Sequence, residues 1–227
     1  MESMKLKSHL IRLLILLGIL GCAANSQAAD LSAAHHIKIE LLPADRTLTG
    51  RNDITIETNK TEILNFRLSD RANRIDVQVN GESRNFNFEN GRLQLNLKPR
   101  ELSGKVQVAI QYSAKFDDSV PVRPTNMDNP GFGVTATISD EGTFLLAGSG
   151  WYPELVGGRA NYRVTITAPP GLIAVTAGRS LGHGLKNGKT VSDWEVTYPV
   201  EGLSLSVARY EVEEKSVGDV QVATYLL

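Results

Sequence analysis

Beyond residue 36 the chain alternates apolar and polar side chains with a period of two, in one segment after another. Ile37, Ile39 and Leu41 open the series, and Ile54 with Ile56, then Leu64, Phe66 and Leu68, continue it. Successive side chains of a strand point to opposite faces, so this spacing predicts half-buried strands. Ile75, Val77 and Val79 run into Asn80-Gly81, Phe86 and Phe88 run into Asn90-Gly91, and Leu93, Leu95 and Leu97 follow. Asn-Gly suits a type I′ hairpin turn because both central residues need positive φ. The two turns in tandem therefore predict an antiparallel meander, ended by Pro99. Val106, Val108, Ile110 and Tyr112 predict another strand. The stretch from Lys115 to Pro130 carries Pro121, Pro124 and Pro130 without any period, and reads as a long surface loop. Strands resume near Val134–Ile138 and Thr143–Leu146. They recur at Tyr162, Val164 and Ile166, at Ile173 and Val175, and at Trp194, Val196 and Tyr198 beyond a third hairpin turn at Asn187-Gly188. Leu203, Leu205 and Val207, then Val220 and Val222, complete the set. No segment sustains a helical period. The expectation is an all-β chain of more than ten short strands, as an antiparallel β-sandwich or an extended pair of sheets.

One segment breaks the pattern. From Gly142 to Glu154 an apolar run meets a glycine-loosened bend and then Trp151-Tyr152-Pro153-Glu154. The chain holds 2 Trp, 6 Tyr and 6 Phe, so adjacent large rings at a corner must either fill a core or line a surface. Trp151, Tyr152, Tyr162 and Trp194 pose the same choice together: a carbohydrate-stacking platform or sandwich core, with core the favoured reading. The last residues, Tyr225-Leu226-Leu227, stop inside a strand pattern with no turn signal. Such a strand either docks centrally or belongs to a chain that continues, in which case this one is a fragment.

The first residues carry a different signal. Lys5, Lys7 and Arg12 precede a short apolar run from Leu13 to Gly21, and Ser26-Gln27-Ala28 follows. This is the layout of a secretory signal peptide over residues 1–28, cleaved after Ala28, with an all-β domain over 29–227. Cys22 follows Ile19-Leu20-Gly21, which resembles a bacterial lipobox, so lipidation at Cys22 is the alternative to cleavage after Ala28. Either route exports the domain to the periplasm or the envelope. Cys22 is the only cysteine, so no disulfide can form within the chain, and core packing has to supply the stability. Lys and Arg number 24 against 25 Asp and Glu, which leaves no electrostatic footprint for nucleic acid. Membrane contact is left to the lipid anchor.

Catalytic chemistry is scarce. The histidines are His9, in the signal segment, His35, His36 and His183. Strand neighbours face opposite ways, so His35 and His36 cannot converge on one ion, and both are expected to be solvated where a strand begins. No His-Glu-x-x-His motif occurs. Ala147-Gly148-Ser149-Gly150-Trp151 lacks the spacing of a nucleophile elbow. Asp117-Asp118, Asp140-Glu141 and Glu213-Glu214 read as solvated turn acids rather than catalytic pairs. The sequence thus nominates no catalytic residue and no metal ligand.

A resemblance rests on the order of several segments: His36-Ile-Lys-Ile-Glu-Leu41, the meander, Gly142-Thr-Phe-Leu145, Trp151-Tyr-Pro153, Tyr162 through Gly171, Ala174-Val-Thr-Ala-Gly178, Trp194 and Leu203-Ser-Leu205. From about Ala34 to its last residue the chain resembles the N-terminal domain of the aminopeptidase N-type gluzincin zinc metallopeptidases, especially divergent bacterial envelope members. The resemblance implies a saddle-shaped all-β domain packed on a thermolysin-like catalytic domain that carries the zinc, so this chain would hold no cofactor of its own. Well-studied members carry an Ala-Arg-x-x-Phe-Pro-Cys-x-Asp-Glu-Pro block, preceded by a Gln or Glu that holds the substrate's amino terminus. Here Trp151-Tyr152-Pro153-Glu154 replaces the block and Leu145, Leu146, Ala147 and Gly148 precede it, so no residue takes the amine-binding role. The corner is then expected to be exposed, facing an absent catalytic domain or a ligand. The alternative is a stand-alone envelope β-sandwich that recognises a glycan, a peptide or a separate envelope protein.

Overall fold

The computed structural model describes residues 31–119, 133–218 and 220–227. The signal segment, Cys22 and most of the Lys115–Pro130 stretch lie outside them. In chain order the strands are β1 (Leu31–Leu42), β2 (Thr47–Glu57), β3 (Ile63–Arg67), β4 (Ala72–Val79), β5 (Glu82–Ser83), β6 (Asn87–Glu89), β7 (Arg92–Asn96), β8 (Lys105–Lys115), β9 (Ala136–Ile138), β10 (Thr143–Leu145), β11 (Glu154–Leu155), β12 (Gly158–Ala168), β13 (Ile173–Thr176), β14 (Arg179–Lys186), β15 (Lys189–Val200), β16 (Leu205–Ala208), β17 (Glu211–Val217) and β18 (Val220–Leu226). The chain is all-β, as its periodicity predicts.

Eight strands form one sheet in the order β14-β15-β12-β1-β2-β8-β4-β5. Two four-stranded sheets, β13-β16-β10-β9 and β11-β3-β7-β6, and a β17-β18 ribbon complete the architecture. Alternation places one row of each long strand inside. In β1, Leu31, Ala33, Ile37, Ile39 and Leu41 are buried while Ser32, Ala34 and Lys38 are exposed. The inner rows of the small sheets, among them Leu64, Phe66, Leu93 and Leu95 on one and Ile138, Leu145, Leu205 and Val207 on the other, join the large sheet's row in a single core. Burial of these rows is the main favourable term, since each aliphatic side chain withdrawn from water contributes about 1.5–3 kcal/mol.

Three features depart from the sequence reading. First, β1 and β12 pair in parallel, with Ile37 beside Val164, inside an otherwise antiparallel sheet. Period two marks strands but carries no information on direction, and this pairing joins strands more than a hundred residues apart. Second, the meander is split. All three Asn-Gly turns have positive φ at both residues (52° and 82° at Asn80-Gly81, 50° and 74° at Asn90-Gly91, 52° and 75° at Asn187-Gly188), as type I′ requires. Yet β5 extends the large sheet while β6 and β7 join a small one. The crossing is pinned at Arg84, whose guanidinium makes a two-pronged pair with buried Glu101 at 2.7 and 3.0 Å. Third, β18 does not dock centrally. Among the described residues it pairs with β17 alone, and Val217, Val220, Val222 and Leu226 are exposed.

One tight contact in the large sheet bears on the site below. Gly50 lies opposite Tyr112 in the β2–β8 ladder, and a Cβ at Gly50 would sit 2.6 Å from the Tyr112 ring. The missing side chain lets the Tyr112 ring lie across β2. Gly50→Ala should therefore destabilise the domain by about 2 kcal/mol in urea unfolding, the usual scale of overpacking. A cost under about 0.5 kcal/mol, as for ordinary surface changes, would contradict this packing.

Candidate functional site: a buried aromatic corner beside a charged cleft

The chain leaves one small sheet at β10 and enters the other at β11, and the corner between them carries Trp151 and Tyr152. Gly150 has φ 72°, and a Cβ there would fall 2.2 Å from the Ser69 nitrogen, so only glycine fits. Its carbonyl accepts the Ser69 N–H at 2.9 Å, which ties the corner to the chain leaving β3. Both rings then turn inward and are fully buried. The Trp151 indole N–H donates to the Leu203 carbonyl at 2.8 Å, and the Tyr112 hydroxyl donates to the Trp151 carbonyl at 2.8 Å. Tyr152 packs edge-on against Trp151 with centroids 4.6 Å apart, and its hydroxyl accepts the Leu203 N–H at 3.3 Å.

This agrees with the core reading favoured for the rings, and it leaves neither ring exposed at the corner, where the family resemblance had suggested exposure. Trp151, Tyr152, Pro153 and Glu154 are all buried within this chain, because the turn between two sheets points its large side chains at the third. Tyr162 and Trp194 lie in the core too. They form no surface platform.

A polar cluster missed in the sequence lies beside the rings. His35 occupies the inner row of β1, in phase with Ala33 and Ile37, and is 3% exposed, so it is not the solvated residue expected at a strand start. Its neighbour His36 takes the outer face. The His35 ring stacks on Tyr162 at 5.0 Å and meets Tyr152 edge-on at 6.0 Å. Burial holds its pKa down at about 4, against an ordinary 6.5. Asn52, fully buried on β2, places its amide nitrogen 2.8 Å from His35 Nδ1 and donates to the Pro153 carbonyl at 3.2 Å. A readable signal existed for both: each is a polar residue on the apolar phase of an alternating strand.

Glu154 closes the cluster on its outer side. Its side chain is 10% exposed, accepts the Gly148 N–H at 3.0 Å and faces Arg67 at 3.6 Å. Burial raises its pKa, against the pull of the Gly148 N–H and Arg67. Glu154 forms the floor of a cleft of about 420 Å³, whose rim includes Arg67, Gly157, Gly158, Arg159 and Glu201. The paired acids Asp117-Asp118 stand elsewhere, Asp117 beside Arg71 and Lys115 and Asp118 bonded to the Thr135 and Ala136 N–H groups, so neither is engaged with Glu154.

No protein-family model matches the chain, and no curated protein sequence matches it significantly. Solved structures do share its fold. The M1 zinc metallopeptidase of Deinococcus radiodurans, in a mutant form bound to a Tyr-Ser-Ala substrate, superposes with a TM-score of 0.64 at 18% identity, over 86% of this chain and 47% of that one. A two-domain M1 zinc metallopeptidase mutant bound to L-tryptophan gives 0.64 at 17% identity, again over 86% and 47%. The chain thus spans about half the length of these proteins, and its similarity is to their N-terminal region. Among the described residues no three His, Cys, Asp or Glu side chains come together as a metal-binding group.

If the corner is core, its rings should behave as core. Trp151→Ala should cost about 3–5 kcal/mol in chemical denaturation. Tyr198→Ala, at a ring 80% exposed, should stay within about 0.5 kcal/mol. Equal small costs at both positions would refute the burial described here.

Proposed function

We propose that this chain is the non-catalytic N-terminal β domain of a zinc metallopeptidase relative and works packed on a thermolysin-like catalytic domain that supplies the zinc, the general base and the peptide-cleaving chemistry. The observation that carries this reading is the match of 86% of this chain to 47% of two-domain metallopeptidases. The absence of a convergent ligand set among the described residues fits a division in which metal and catalysis belong to the other half. The reading extends to location: the basic, apolar and small-residue series over 1–28 supports export to the periplasm or envelope, with Cys22 the site of a lipid anchor if it is acylated.

A second reading is a stand-alone envelope module that binds a glycan, peptide or protein partner. One observation favours it, a groove of about 1050 Å³ between the β14–β15 hairpin and the terminal ribbon, lined by Trp194, Tyr198 and Tyr225. The two readings separate at the gene. A frame encoding His-Glu-x-x-His, fused to or beside this one, is expected, and its product should hydrolyse peptides with zinc bound and lose activity when this domain is deleted. Lack of any such frame, or a catalytic product indifferent to this domain, would defeat the first reading.

A further inference from the structure

The Pro153 carbonyl can only accept a hydrogen bond, so the end of the Asn52 amide facing it is the nitrogen. The same nitrogen lies 2.8 Å from His35 Nδ1, and an amide nitrogen can only donate. His35 Nδ1 is therefore an acceptor, and the neutral ring carries its proton on Nε2. Both hydrogens of the Asn52 amide are committed, one to His35 and one to Pro153. Among the described residues, two buried polar atoms of this pair have no protein partner, His35 Nε2 and Asn52 Oδ1. Buried polar atoms in folded proteins are nearly always hydrogen-bonded, so these two exceptions call for a physical account.

We infer that His35 and Asn52 form a proton-operated latch on the Trp151–Glu154 corner. A proton arriving at Nδ1 turns that atom from acceptor to donor and sets it against the Asn52 N–H. Rotation of the amide by half a turn presents Oδ1, the atom without a partner, to the new Nδ1–H. The same rotation withdraws the amide nitrogen from the Pro153 carbonyl. One proton thus exchanges a bond holding the corner for a bond within the latch, and the released carbonyl belongs to the residue before Glu154, the floor of the charged cleft.

The surroundings make the ring responsive in acid alone. From β12 it faces Tyr162 and from the corner Tyr152, both kept neutral by burial, which raises their pKa. From β2 it faces Asn52, while Asp53 pairs with Arg51 on the outer side with His36. Glu154 is engaged by Gly148 and Arg67 and has no bond to His35. No carboxylate therefore contacts the imidazolium among the described residues. The folded-state pKa of about 4 lies below the ordinary 6.5, so the unfolded or opened chain binds the proton first as pH falls. The latch is fully closed above about pH 6.5 and loosens progressively between there and about pH 4.

Nitrogen-15 spectra of the unmodified chain test this between pH 3.5 and 7.5. The expected result is the Nε2–H tautomer of His35 at neutral pH and one titration below pH 5. The Asn52 side-chain amide and the Glu154 and Leu155 backbone amides should shift with the same midpoint while the far-ultraviolet circular dichroism stays native. Exchange protection of those two backbone amides should fall about tenfold across that midpoint, the signature of a local opening. In Asn52→Ser, His35 should still titrate but the corner signals should no longer follow it. An Nδ1–H tautomer at neutral pH, corner signals that ignore the His35 titration, or a titration seen only with global unfolding would each overturn the latch.

Discussion

The fold depends on the way one carbonyl and one indole are held. The Trp151 carbonyl takes the Tyr112 hydroxyl from the eight-stranded sheet, and the Trp151 indole gives its N–H to Leu203, just before β16 of a small sheet. The next residues run into β11 of the other small sheet. Three sheets that share no ladder among the described residues thus meet at one residue. Large aromatic rings suit this task because each removes much apolar surface from water while its polar edge still finds a partner. Two glycines make the junction feasible: Gly150, where any Cβ would strike Ser69, and Gly50, over which the Tyr112 ring lies.

Much of this was legible in the sequence. Period-two rows located most of the long strands, though not β14 or β17, and Asn-Gly pairs marked three hairpin turns down to the sign of φ. The partners of those strands were not legible. The β1–β12 pairing is parallel and distant, and the short β5 and β6 send one apparent meander into two sheets. At the site, residue type already favoured core for Trp151 and Tyr152, but the turn between sheets that buries them is contained in no local pattern. His35 illustrates the converse. Its position in phase with Ile37 and Ile39 predicted burial, and reading it by residue type as a solvated histidine set the wrong expectation.

Fold and chemistry point in compatible directions here. The buried charged and polar groups of the site and its surroundings bind the chain to itself: Glu101 with Arg84, Glu154 with Gly148 and Arg67, His35 with Asn52. That usage is compatible with the supporting role proposed above. The ribbon of β17 and β18 keeps exposed valines and Leu226, and Glu154 lines an open cleft.

The account's central claim is that the Trp-Tyr-Pro-Glu corner is the junction of the core and not a surface. Hydrogen exchange at the Trp151 indole N–H tests it most directly. Bonded to Leu203 and shut away from water, that proton should exchange only through global unfolding, with an opening free energy equal to the domain's full stability. Exchange within minutes under native conditions at neutral pH, at a cost far below global unfolding, would contradict it.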